Sequence, residues 1–139
     1  MDQFNRMLSR WEPMVLSIFR IKVGLLLFQY GVAKLLKFPV LPYFANIPPL
    51  ITTAGALELI LGALLVVGLF TRLAAFILSG EMAFAYFMGH MFKAGMDAPV
   101  FTPLLNGGNA AILFCFSCLY LACAGGGVWS VDAMRERRA

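Results

Sequence analysis

The sequence predicts an all-α membrane protein, a bundle of four transmembrane helices, from its composition and from the arrangement of its apolar residues. Hydrophobic residues make up 61% of the chain and charged residues only 13%, about half the charged fraction of a typical water-soluble domain. The apolar residues form long runs separated by short polar or proline-rich breaks, as in transmembrane helices. A length of 139 residues predicts one integral membrane domain over residues 1–139.

The longest apolar stretch covers residues 50–91 and sets the organisation of the chain. A single helix of this length would measure about 60 Å, twice the hydrocarbon core of a bilayer. The stretch therefore folds back, and its only polar break is Thr71-Arg72. This predicts two spans joined by a very short turn, at about 50–70 and 73–90.

Two further spans complete the predicted bundle, at about 14–36 and 110–125. Pro13 is suited to begin the first of them, because proline is tolerated in the first turn of a helix. Residues 1–12 are polar but carry one apolar helical face, which suggests an interfacial helix lying among the lipid headgroups. That face consists of Phe4, Met7, Leu8 and Trp11.

Four spans bring both termini to one side of the membrane. The arginines outside the first span collect on that side: Arg6, Arg10, Arg72, Arg135, Arg137 and Arg138. By the positive-inside rule this side is the cytoplasm, so both termini are predicted to be cytoplasmic. The connections at 38–49 and 91–108 then face outwards, and both are rich in proline and aromatic residues.

Several ionisable residues lie inside the predicted spans, where charges are costly and often functional. Their depths along the helices predict two polar layers. In the inner layer Arg20 pairs with Glu81 and orients the helices, and Arg72 is a further structural charge where the second span ends. The outer layer contains Glu58, Lys34, Tyr86 and His90.

Two interpretations of these layers remain open. In the first, the charges only pair and hold the helices in register. In the second, the outer layer binds a small redox-active ligand, because a neutral histidine and a tyrosine hydroxyl can hydrogen-bond quinone carbonyls while a carboxylate relays protons. Glu58 and His90 are then the candidate catalytic residues. The candidate ligand contacts are Tyr86, Lys34, Asn106 and Asn109.

Other kinds of site are less well supported by the sequence. Cys115-x-x-Cys118 and Cys123 lie in one apolar span. Membrane thiol oxidases of the vitamin K epoxide reductase type need further cysteines, which the loops lack, so packing is the favoured role. One histidine and two separated carboxylates give no metal-ligand spacing. The net charge of +4 does not indicate nucleic acid binding, because the basic residues lie at helix ends and tails.

An ordered set of motifs nevertheless resembles a known family. The motifs are Arg20-Gly24-Gly31-Lys34, Glu58-Gly62-Gly68-Thr71-Arg72, and the segments 82–90, 103–108 and 125–132. Together they resemble the DoxX family of small bacterial membrane proteins over about residues 14–133. The positions that the resemblance carries over are Arg20, Lys34, Glu58, Arg72, His90, Ser130 and Asp132. Asn109 departs from the family pattern, which often has an acidic residue there.

The resemblance implies a four-helix protein of the bacterial inner membrane that acts as an oxidoreductase component. It further implies a link to quinone, as in relatives of thiosulfate:quinone oxidoreductase subunits, or to oxidative-stress and thiol-detoxification complexes with soluble or membrane redox partners. A non-catalytic anchor or subunit of a redox complex is the alternative, followed by a small-molecule or proton-coupled carrier. The sequence leaves open whether the protein is itself an enzyme and whether it forms a homo-oligomer.

Overall fold

The computed structural model describes residues 1–93 and 97–139, most of which are helical, and it has no strand within those ranges. Phe87–Met91 continues the third helix as a π-helical turn, and Pro42–Phe44 forms a short 3-10 turn. The predicted all-α fold class is confirmed. The helices are α1 (Asp2–Leu35), α2 (Pro49–Val67), α3 (Thr71–Tyr86), α4 (Pro103–Asn106), α5 (Asn109–Ala124) and α6 (Val131–Arg138).

Three segments among the described residues are long and apolar enough to cross a membrane. They are α1, α2 and the combined segment Thr71–Met91. Helix α5 is apolar, but its 16 residues measure about 24 Å, less than a typical hydrocarbon core. The count of four spans and the cytoplasmic position of both termini therefore stay predictions.

Helix α1 differs from the prediction near its start. Residues Asp2–Leu35 form one uninterrupted helix with Pro13 inside it, so the prediction that a helix begins at Pro13 is wrong. The interfacial position of residues 1–12 stays a prediction. Proline removes one hydrogen bond from the helical ladder, and apolar helices tolerate this where nearby groups compensate. The carbonyl that loses its donor is that of Ser9, four residues before Pro13, and Ser9 lies at an exposed position of α1 where water can donate to it.

Close approach of α1 and α2 depends on glycine. Helix α1 packs mainly against α2, and α3 packs mainly against α5. A Cβ atom added to Gly31 would lie 2.5 Å from the backbone nitrogen of Leu59, and one added to Gly24 would lie 2.8 Å from that of Val66. Backbone atoms cannot move aside as a flexible side chain does, so these positions require glycine.

The ends of the bundle differ in their polar residues. Helices α2 and α5 end, and α3 begins, at what we call the arginine end, where Arg20, Arg72 and α6 lie. The opposite end, called the histidine end, contains His90 and α4. The outward faces of the helices expose many large apolar side chains, an arrangement that suits lipid better than water.

We expect Gly31→Ala to lower the stability of the protein by about 1–3 kcal/mol, because the added methyl group forces α1 away from α2. Thermal unfolding in detergent, followed by circular dichroism, measures the loss. Gly80→Ala is the matched control, because a Cβ at Gly80 meets no atom within 4 Å. Equal effects of the two substitutions would contradict the packing argument.

Candidate functional site

A buried ion pair joins α1 to α2. Lys34 lies in the last turn of α1, and its Nζ donates to both carboxylate oxygens of Glu58 at 2.7 Å each. The side chains are only 12% and 3% exposed, respectively. The structure thus brings together two members of the predicted outer layer. Because the pair is largely removed from solvent, losing either partner leaves a buried unpaired charge.

Aromatic side chains surround the ammonium group of this pair. The Nζ of Lys34 lies 5.9 Å from the ring centroid of Tyr30 and 5.8 Å from that of Phe44, within the range of a cation–π interaction. Phe44 belongs to the 3-10 turn between α1 and α2, and its carbonyl accepts a 2.6 Å hydrogen bond from Lys37. The connecting segment therefore covers the ion pair from the histidine end.

Glu81 of α3 is the third ionisable residue of this region. The charges of Glu58 and Lys34 both act on its carboxyl group, which places it near the ion pair. Both of its carboxylate oxygens are buried and have no hydrogen-bond partner among the described residues. The predicted pairing of Glu81 with Arg20 is therefore wrong, because depth along a helix does not specify which neighbour a side chain faces.

Arg20 instead forms hydrogen bonds at the arginine end of the bundle. Its side chain is fully buried, and among the described residues its guanidinium donates only to backbone carbonyls. The acceptors are Gly126 at 2.7 Å, Val66 at 2.7 Å, Trp129 at 2.5 Å and Leu65. Two of these carbonyls lie in the last turn of α2, where no backbone N–H remains to bond them. Arg20 thus caps α2 and ties it to the segment before α6.

Arg72 has the same role for another helix. Its Nη1 donates to the carbonyls of Ala122, at 3.1 Å, and of Cys123 in the last turn of α5. A positive charge at the carboxyl end of a helix also interacts favourably with the helix dipole. Arg72 therefore forms a cap of α5 that is supplied by α3.

Asp132 caps the beginning of α3 from α6. Its two carboxylate oxygens accept from the backbone N–H groups of Phe70, at 2.9 Å, and Thr71, at 2.8 Å. Burial raises the pKa of Asp132, but hydrogen bonds from Thr71 and Phe70 and the charge of Arg135 outweigh burial, so the pKa lies below its ordinary value. Spacing along the chain could not reveal this cap, because about sixty residues separate donor and acceptor; only the family resemblance pointed to Asp132.

His90, Tyr86 and Asn106 form a separate cluster at the histidine end. The Nδ1 of His90 lies 3.1 Å from the carbonyl of Asn106. A carbonyl only accepts, so Nδ1 carries a proton in this contact. The Asn106 amide donates to Val100 O at 2.8 Å and to the Tyr86 hydroxyl at 3.3 Å, and that hydroxyl lies 3.4 Å from Phe101 O.

The predicted outer layer is therefore divided into two clusters. Within residues 1–93 and 97–139, the hydrogen bonds of His90 and Tyr86 are not to Lys34 or Glu58 but to the segment around α4. Asn109 is exposed at the start of α5, which has no side-chain cap. The path of the connection before α5 decides these contacts, and helical periodicity carries no information about that path.

The three cysteines differ in burial: Cys118 is buried, Cys115 is partly buried and Cys123 is exposed. All three are free thiols, and Cys118 is fully buried in the core. The hydroxyl of Ser79 donates to the carbonyl of Cys115 at 2.8 Å, which links α3 to α5. The same hydroxyl also lies 3.6 Å from the Sγ atom of Cys115, a second polar contact between these helices.

Comparison with known proteins identifies the family. The model of the DoxX family matches residues 15–91, more than half of the chain. The chain belongs to the DoxX family. The DoxX protein is also 39% identical over 128 residues to an uncharacterized protein of Haemophilus influenzae, a match that covers 90% of this chain and 93% of that protein. No solved structure matches it.

The family match covers only part of the polar residues described above. Arg20, Lys34, Glu58, Glu81 and His90 lie within the matched residues 15–91. Asp132 and the α4 segment lie outside them, but the relative from Haemophilus influenzae aligns with 90% of the chain. The resemblance stated from the sequence is thus confirmed, and the DoxX protein is a membrane protein by family and by the length of its apolar helices.

We expect Asp132→Asn to destabilise the DoxX protein by about 1 kcal/mol at neutral pH, through loss of a charged helix cap. The lowered pKa of Asp132 means that its contribution is full above the unfolded value of about 4 and is lost as pH falls through the folded value. Thermal unfolding between about pH 7 and about pH 3 should therefore show less acid dependence in this variant. Asp97→Asn, at an exposed position, is the control, and identical acid profiles for Asp132→Asn and the wild type would refute the cap.

Proposed function

We propose that this DoxX protein is a quinone-linked component of a redox system in the bacterial inner membrane. In this proposal the chain is one domain of four spans with both termini in the cytoplasm. The observation that carries the proposal is Glu81, whose buried carboxylate oxygens lack a hydrogen-bond partner among the described residues beside the Lys34–Glu58 pair. Ionisable groups at such depth are seldom retained without a function.

Lys34, Glu58 and Glu81 form what we call the polar centre. Their charges do not balance by themselves. One ammonium group, on Lys34, serves two carboxylates, and it donates to both oxygens of Glu58. Glu81 is left needing a proton or a hydrogen-bond donor, because an unpaired buried charge is costly. These residues therefore fit a ligand that brings a hydroxyl or carbonyl group and an apolar body.

A quinone has that chemistry, since its two-electron reduction is accompanied by the uptake of two protons. In our proposal Glu81 and Glu58 hold and release those protons, and Lys34 keeps Glu58 in place between transfers. The electrons pass to or from a redox partner protein of the same complex. Glu58 thus keeps its predicted catalytic role, and Glu81 moves from a structural to a catalytic one.

His90 has a different place in this scheme. It lies nine residues beyond Glu81 on the same helical segment, about 13 Å away along the axis, which is too far for direct proton transfer. We propose that His90 exchanges protons with the outer aqueous side through its Nε2. Tyr86, Asn106 and Asn109 then form the mouth of the ligand path rather than its centre.

A proton-coupled carrier is the second candidate, because the same three charged groups can bind and release a proton without electron transfer. The two candidates differ in what fills the polar centre. Mass spectrometry of lipids extracted from the purified protein tests this difference. Quinone at near-stoichiometric amounts supports the redox function. Absence of quinone, with proton flux in proteoliposomes that depends on Glu81, would instead support the carrier.

Substitution of the two carboxylates by leucine separates function from structure. We expect Glu81→Leu to be at least as stable as the wild type, because an apolar side chain replaces a buried group without a partner. We also expect this variant to bind about tenfold less quinone, because it loses one charge-assisted hydrogen bond to the ligand. Thermal unfolding and lipid mass spectrometry on the same samples measure both effects. A clear loss of stability would indicate that Glu81 is structural.

Glu58→Leu, in contrast, should lower the stability of the protein. It leaves Lys34 buried without its partner, so we expect a loss of about 3–5 kcal/mol. The double variant Lys34→Met/Glu58→Leu should recover most of this loss, because it removes both charges together. Glu12→Gln, at an exposed position of α1, is a control for handling and should change neither stability nor quinone content.

A further inference from the structure

The beginning of α1, residues 1–12, forms an arm that stands apart from the bundle. Every residue of this arm is exposed, and so is Pro13, which follows it. The side-chain hydrogen bond described for the arm, from Ser9 to the carbonyl of Asn5, stays within it. Its helical residues measure about 16 Å along the axis. Packing against the bundle therefore does not fix the direction of the arm.

Ser17 marks the level of the lipid headgroups on α1. Its hydroxyl accepts from the backbone N–H of Trp129 at 3.1 Å, and the Trp129 side chain is 54% exposed, as is usual for tryptophan at a membrane–water interface. Lys22 is exposed further along the span, and its long stem lets its ammonium group return to the same level. A straight α1 therefore projects the arm into water and not along the headgroups.

One face of the arm is apolar, and a straight α1 leaves it in water. Its four side chains are 50% to 56% exposed: Phe4, Met7, Leu8 and Trp11. The same face continues along the span with Val15, Ile18 and Leu25, which are exposed and follow Trp11 at spacings of four, three and seven residues. The apolar face of the arm is thus a continuation of the side of α1 that faces lipid.

Pro13 lies on the opposite side of α1. It shares a face, at spacings of four, three and four residues, with the buried Ser17, Arg20 and Gly24. Its ring crowds the carbonyl of Ser9, one turn earlier on the same side, and it supplies no N–H to that carbonyl. Separating ring and carbonyl opens the helix on the side of the bundle, so the arm bends outwards. An outward bend turns the apolar face towards the membrane surface.

We propose that the arm bends outwards at Pro13 and binds the surface of the lipid bilayer through its apolar face. Arg6 and Arg10 lie outside that face and stay on the aqueous side, as in amphipathic helices that lie on membranes. A partner protein or a second copy of the chain could cover an apolar face anywhere on the arm. The bilayer is the occupant for which the face must continue the lipid-facing side of α1 and must lie opposite the proline.

Tryptophan fluorescence tests this proposal. The chain has two tryptophans, so Trp129→Phe leaves Trp11 as the single reporter. The full chain is placed in phosphatidylcholine nanodiscs, with or without bromine on the acyl chains, because bromine quenches nearby tryptophan. We expect the brominated lipid to quench Trp11 strongly, at one copy per nanodisc. Emission at the wavelength of tryptophan in water, with no quenching, would overturn the proposal. So would quenching that needs a second copy in the nanodisc.

The hinge is tested by Pro13→Ala in the same background. This substitution removes the ring and restores the N–H that bonds the carbonyl of Ser9, so the arm straightens. We expect the quenching of Trp11 to fall by about half or more. Glu12→Gln, which leaves the helical ladder unchanged, is the control. Equal quenching in Pro13→Ala and its parent would overturn the bend at this residue.

The face is tested by placing the same new side chain on opposite sides of the arm. Phe4→Gln/Leu8→Gln removes apolar area from the proposed contact and should lose most of the quenching. Asn5→Gln/Ser9→Gln alters the other side and should keep it. All four positions are exposed, so thermal unfolding of the bundle should be the same in both double variants. Equal quenching in the two would overturn binding through the apolar face.

Discussion

The guanidinium of Arg20 is the contact on which the rest of the bundle depends. In an apolar environment a backbone carbonyl without a donor costs several kcal/mol, and four carbonyls from α2 and the segment before α6 converge on this one side chain. Arginine suits the position because its fork donates several hydrogen bonds at once and keeps its charge. The result is that α1, α2 and the end of the chain are held together at one point.

The contacts at the arginine end also determine where α3 begins. The chain passes from α2 to α3 through Gly68 and Phe70, both with positive φ. The carbonyl of Gly68 accepts from the N–H of Asp132, whose carboxylate caps α3. With Arg72 capping α5, the arginine end has helix caps supplied by residues distant in sequence. Such an end is suited to fix the register of α2 and α3 and, with it, the relative positions of Glu58 and Glu81.

The polar groups in the middle of the bundle are hydrogen-bonded less completely than those at the arginine end. Lys34 and Glu58 pair closely, and Glu81 has no hydrogen-bond partner among the described residues. A protein that needs only stability would gain by replacing such a carboxylate with an apolar side chain. The contrast between the helix caps of the arginine end and the unbonded carboxylate of the centre is what directs our functional proposal to Glu58 and Glu81.

The sequence by itself determined the helical class, the approximate positions of the long apolar helices, the presence of charges inside them and the family. These follow from local composition, from helical periodicity and from ordered motifs, all of which a single chain displays. Only the tertiary structure decided that Arg20 bonds carbonyls rather than Glu81, and that His90 bonds the α4 segment rather than Glu58. Those outcomes depend on how each helix is rotated about its axis and on the paths of the loops. Rotation is set by glycine contacts such as Gly31 against Leu59, which no pattern within one helix specifies.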